Sequence, residues 1–168
     1  MASCSIRKHI PEDKMILKSN KIIIHSKDID FDKSDISACL SQSANPKILG
    51  FMPATWVYYK TEDKSDKRLY KWINNTMGEK PVYYNDELRE QSVSNIIKYL
   101  GDIGYCKSSV SNRIKNKRGI GKVYYEIHPS KPYIIDDITY AIKDTTVYRY
   151  VMEIADVLPV KKGDIYNA

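Results

Sequence analysis

Few residues of this chain are spaced for chemistry. The adjacent carboxylates Asp136 and Asp137 fall in a segment that reads as a strand. Strand neighbours point to opposite faces, so the two cannot share one site. Gly119-x-Gly121 lies in an expected hairpin rather than between a strand and a helix, so it is not a dinucleotide fingerprint. Cys4, Cys39 and Cys106 show no CxxC or metal-ligand spacing, which indicates neither zinc nor a disulfide framework. His9, His25 and His128 are scattered. The last two sit in strand-like segments, where a half-exposed sheet histidine is the expected reading. No nucleophile–base pair, paired-carboxylate signature or phosphate loop appears. An enzyme is not expected, nor a cofactor, a metal or a small-molecule substrate.

What remains is pairing and packing. The 168 residues give room for one ordinary domain or two small ones, and 42% hydrophobic with 29% charged residues fits a soluble folded chain. Fourteen tyrosines against two Phe and two Trp suit small sheets with thin cores, because Tyr packs its ring while its hydroxyl stays wet. The net charge of +6 is interspersed with acids except at Arg113, Lys115, Lys117, Arg118 and Lys122. That cluster is either a solvated hairpin or a nucleic-acid contact with Tyr124 and Tyr125 as stacking groups. No run approaches the roughly 20 apolar residues that span a bilayer.

Residues 1–20 read as an extended leader, and 21–29 as a short β-branched strand. Asp32 or Ser34 can cap a helix carrying Ile36, Cys39 and Leu40 inward, stopped by Asn45-Pro46. Residues 46–80 read as an inserted excursion that packs on the module, with a short helix near 67–74. Asn85 or Asp86 caps the clearest helix, whose stripe is Leu88, Val93, Ile96, Ile97, Leu100 and Ile103, and Gly104 ends it. A polar strand over 106–117, a glycine turn over 116–121 and an alternating strand over 121–128 follow. In the last strand Val123, Tyr125 and Ile127 face one side, and Tyr124, Glu126 and His128 the other. The order over 21–132 is an α+β βααββ module: a three-stranded mixed sheet with two helices on one face.

After Pro132 the pattern restarts. Residues 133–143 read as a strand, with Ile134, Ile138, Tyr140 and Ile142 on one face. Asp144 or Thr145 then caps a helix with Val147, Val151, Ile154 and Leu158 at helical spacing, closed by Pro159. Lys162-Gly163-Asp164-Ile165-Tyr166-Asn167 echoes the lead-in to the first long helix. Residues 133–168 therefore read as an incomplete second module of strand plus helix, expected to pack on the first module or on a neighbouring chain.

The chain resembles the POTRA repeats of the BamA/TamA superfamily of outer-membrane assembly proteins, closest to the lipoprotein form TamL. The residues that carry the resemblance are Pro11-Glu12 after Cys4, Lys47-Ile48-Leu49-Gly50-Phe51 and Lys80-Pro81-Val82-Tyr83-Tyr84. It continues through Leu100 with Gly104-Tyr105, Lys131-Pro132-Tyr133 and Lys162-Gly163-Asp164. Ser130 departs from the usual glycine and affects only the local turn. The resemblance implies a longer protein with further POTRA units and a C-terminal membrane barrel, placed at the periplasmic face of a Gram-negative outer membrane. It implies that Cys4 accepts lipid in the native precursor. The apolar region that should precede such a cysteine is missing, so Met1, with Ala2 and Ser3, reads as an added start and this fragment as unacylated.

A polar strand beside an apolar one suggests an edge strand next to a central one. Such an edge can template an incoming extended peptide through its free N–H and C=O groups. In the resembling family the edge is the second strand, here about 107–115, with Lys107, Ser109, Val110, Ser111, Arg113 and Lys115. The implied partners are unfolded outer-membrane proteins or a periplasmic assembly partner, with no nucleic acid. A competing reading makes Lys107, Arg113 and Lys115 gatekeepers that keep the edge unpaired.

Overall fold

The computed structural model describes residues 6–49, 52–62, 72, 76 and 79–167. Strand β1 (Ile16–Ile24) opens the sheet, followed by helices α1 (Lys33–Ala38), α2 (Pro53–Glu62) and α3 (Asp86–Asp102). The hairpin of β2 (Ser109–Lys117) and β3 (Ile120–His128) comes next, then helix α4 (Thr145–Glu153) and a 3-10 turn at Ala155–Val157. The sheet has the order β1-β3-β2, with β1 parallel to β3 and β2 antiparallel to it. The fold is α+β, and the succession β1, α1, α3, β2, β3 is compatible with a βααββ POTRA-like module.

The expected leader ends sooner than position 20. Ile16 and Leu17 are buried and already paired with Ile120 and Gly121 of β3. The polar Lys18, Ser19 and Asn20 hid this start, and the register shift between Leu17 and Ser19 lets the strand pass them. Strand β1 ends at Ile24, and beyond the His25 amide, which still donates to the Ile127 carbonyl, the chain leaves the sheet rather than continuing to 29.

Asp32 caps α1 by accepting from the Ser34 and Asp35 amides, while the Asp35 carboxylate accepts from the Asp32 amide, a closed capping box. Asn85 caps α3 through Leu88 N–H at 3.0 Å. The stripe of α3 buries Ile96 and Leu100 against Leu17, Ile36, Tyr105, Val123, Tyr125 and Ile127. Ile97, expected in that stripe, is exposed, and Ser92 is buried in the face instead. Ser92 is tolerated there because its hydroxyl donates to the Leu88 carbonyl at 2.6 Å and accepts from the Ser41 amide at 2.9 Å. Phe31 meets Tyr105 edge-on at 5.2 Å, closing the core at the sheet's end.

The excursion packs on the module as expected, but as the longer helix α2, which buries Met52 and Tyr59 with Ile6 and Ile16. Ile48 and Leu49 are exposed, contrary to the expected packing of that apolar run. The helix expected near 67–74 lies largely outside the described residues.

Residues 133–143 do not form a strand. Only Ile134 bridges, to Ile165. Their neighbours supply few other partners: Tyr133 donates to the Gly104 carbonyl at 2.8 Å, Tyr166 to the Tyr133 carbonyl at 2.9 Å, and Ile135 to the Asp164 carbonyl at 2.9 Å. The contact runs through the positive-φ turn at Gly104 (φ +88°), where a Cβ would stand 2.5 Å from the Tyr166 carbonyl oxygen. Helix α4 is capped by Asp144 yet has no buried residue.

Leu100 is fully buried at the centre of the main core. Leu100→Ala is expected to lower unfolding free energy by about 2–5 kcal/mol, read by chemical denaturation; a loss near zero would show that α3 does not hold the sheet.

Candidate binding edge and outer sheet face

Arg118 (φ +55°) and Gly119 (φ +75°) form the two-residue turn between Lys117 and Ile120. Two left-handed residues in succession are the type I′ geometry that matches strand twist. Asn116 Oδ1 accepts from the Gly119 amide at 3.0 Å and fixes the turn. Such a turn makes Lys117 and Ile120 a hydrogen-bonded pair. Alternation then places the N–H and C=O groups of Val110, Asn112, Ile114 and Asn116 on the far border of β2. Among the described residues no strand pairs with that border.

The opposite border of the sheet is different. The Leu17 amide donates to the Val82 carbonyl at 3.0 Å, and the Leu17 carbonyl accepts from the Asn45 amide at 3.1 Å. Buried Asn45 also donates through Nδ2 to the carbonyls of Leu17 (2.7 Å) and Val82 (2.8 Å) and accepts the Val82 amide at 2.8 Å. Ile16 bridges Tyr83, and Asn20 Nδ2 donates to the Gln42 carbonyl at 2.7 Å. The start of β1 is therefore capped by the chain itself, while among the described residues nothing pairs with the outer border of β2.

Of the residues expected on the edge, Ser109, Val110, Ser111, Arg113 and Lys115 all lie in β2. Lys107 does not. It sits in the turn before the strand, with its ammonium 5.7 Å from the Tyr133 ring centre. Val110, Asn112 and Ile114 pair with Ile127, Tyr125 and Val123 on the helix side, and Arg89 donates to Asn112 Oδ1 there. Ser109, Ser111, Arg113 and Lys115 lie opposite His128, Glu126, Tyr124 and Lys122 on the open face. Arg113 donates from Nε to Glu126 Oε1 at 2.7 Å and stacks over Tyr124 at 4.1 Å, with Lys115 5.6 Å from the same ring. These contacts hold both cations on the sheet face, beside the border rather than across it.

Tyr124 and Tyr125 cannot both serve as stacking groups. Tyr125 is 2% exposed in the core because strand neighbours face opposite ways. Cys4, the expected lipid acceptor, lies outside the described residues.

The open face also gathers residues that sequence spacing left apart. His25, just past β1, stacks on His128 with ring centres 4.3 Å apart, and its Nε2 lies 4.0 Å from Glu126 Oε2. The alternation of β3 already put Glu126 and His128 on one face. Only the parallel register of β1 on β3 could bring His25 to them. No protein-family model matches the chain, and no curated protein matches it. No helix among the described residues is long and apolar enough to cross a membrane.

The hydrogen bond from Arg113 leads the effects that hold the Glu126 carboxyl below its ordinary range. A depressed carboxylate contributes stability above the unfolded-state pKa, and that contribution is lost as pH falls through the folded-state value. In a carboxyl-carbon NMR titration, Arg113→Ala is expected to move the Glu126 midpoint upward. An unmoved midpoint would remove Arg113 as the cause.

Proposed function

We propose that this chain is a POTRA-like region of an outer-membrane protein assembly or translocation factor, acting at the periplasmic face. It takes up extended segments of unfolded barrel precursors, or of a partner protein, by adding them to the outer border of β2. The observation that carries this reading is the asymmetry of the sheet: the start of β1 is capped by Asn45 and by 82–84, whereas among the described residues no strand pairs with the outer border of β2. Main-chain recognition suits varied clients, since every non-proline residue offers the same donor and acceptor. Each bond contributes only about 1 kcal/mol net, so binding along one short strand is weak and reversible, as hand-over requires. Arg113 and Lys115 then act less as gatekeepers than as a cationic rim beside the border.

The alternative, a nucleic-acid contact through the basic hairpin, has less support. Arg113 is already paired with Glu126, and Tyr125 is unavailable for stacking.

The test uses a labelled barrel-strand peptide and backbone NMR. Shifts are expected along β2, above all at Val110, Asn112 and Ile114. Ile114→Pro removes one outward N–H but no bond of the β2–β3 ladder, so it is expected to weaken binding while the fold persists. Shifts confined to another region, or full binding by the folded Ile114→Pro protein, would refute docking at this border.

A further inference from the structure

The cluster of His25, Glu126 and His128 stands apart from the docking border and does not depend on the docking reading. Three features make it more than a chance meeting of side chains. First, its backbone is fixed. Glu126 and His128 occupy alternate positions of β3, and the His25 amide donates to the Ile127 carbonyl at 2.9 Å, extending the parallel ladder one step past Ile24. Second, one donor atom of each residue lies within 4.8 Å of the others. Around a tetrahedral zinc ion with bonds of about 2.0–2.1 Å, ligand atoms sit roughly 3.3 Å apart, so closure requires movements of about 1.5 Å or less. Third, the side chains have room to make them, with His25 43% and Glu126 25% exposed.

The rings now lie parallel, with an interplanar angle of 1°. Parallel imidazoles aim their lone pairs side by side, so ligation turns one ring out of the stack about the soft χ2 torsion. Arg113 engages Glu126 through Oε1, leaving Oε2 directed toward His25.

We propose that His25, Glu126 and His128 form a surface site for a divalent transition metal, with Zn²⁺ the best-matched ion. Two imidazoles and one carboxylate suit zinc and its neighbours rather than magnesium or calcium, which favour all-oxygen sites. Three protein donors leave a fourth position for water or for a donor from a bound chain. A metal here would clip the end of β1 to β3, and it would draw on the carboxylate that also holds Arg113 of β2.

The experiment titrates ZnCl2 into the full chain, with calorimetry for affinity and histidine side-chain NMR for location. One ion per chain is expected, with the ring signals of His25 and His128 moving together and the His9 ring unmoved. His25→Ala and His128→Ala, both at exposed or half-exposed positions, are each expected to weaken binding by at least the roughly tenfold that loss of even an outer-shell partner costs. MgCl2 is expected to leave both rings unmoved. Ring signals that stay still under zinc, an equal response to magnesium, or affinity that survives the double His25→Ala/His128→Ala change would each overturn the site. Zinc would then sit on other groups, such as His9 or the thiols of Cys39 and Cys106.

Discussion

Strand β3 is the element on which the rest of the structure depends. It pairs in parallel with β1 along one border and antiparallel with β2 along the other. Its inward side chains Val123, Tyr125 and Ile127 are the floor on which α3 packs. A central strand satisfied on both borders forces the two remaining strands to be edges, and a sheet of three strands cannot close to hide them. The sequence between the strands decides what becomes of each edge. Between β1 and α3 the chain returns Asn45 and 82–84 to β1. After β2 it turns at once into β3, and among the described residues nothing returns to the outer border of β2.

The two faces of the sheet divide the remaining work. The inner face holds the core and carries most of the stability, through full burial of Ile96, Leu100, Val123 and Ile127. The outer face is apolar at the start of β1, where Ile16 is buried with Ile6, Met52 and Tyr59, and elsewhere carries a polar surface on which Arg113, Tyr124, Glu126, His25 and His128 contact one another across strands. Those contacts order the side chains beside the open border without filling it. Exposed pairs of this kind add little stability. Their effect is to set where charge stands relative to an approaching chain.

Much of the module was legible in the sequence because its signals are local. The caps at Asp32 and Asn85, the stop at Gly104 and the alternation through Val123, Tyr125 and Ile127 each follow from chemistry within a few residues. The start of β1 was not legible, since Lys18, Ser19 and Asn20 break the apolar pattern where the strand shifts register. Ile97 and Ser92 exchanged places because a serine that bonds its own helix can be buried as cheaply as an isoleucine can be left exposed. Residues 133–143 carry strand-like composition, but a strand needs a continuous partner, and here pairing is confined to Tyr133–Ile135, around the single bridge from Ile134 to Ile165. The edge position of β2 could be read from its polarity. The clustering of His25 with Glu126 and His128 could not, because it depends on a parallel register between strands a hundred residues apart.

Amide hydrogen exchange along β2 tests the open border most directly. A free border predicts alternation in the unliganded protein: slow exchange at Ser111, Arg113 and Lys115, whose N–H groups face β3, and fast exchange at Val110, Asn112 and Ile114, which face outward. Equal protection at both sets would mean that the border is already covered, and would contradict the central claim.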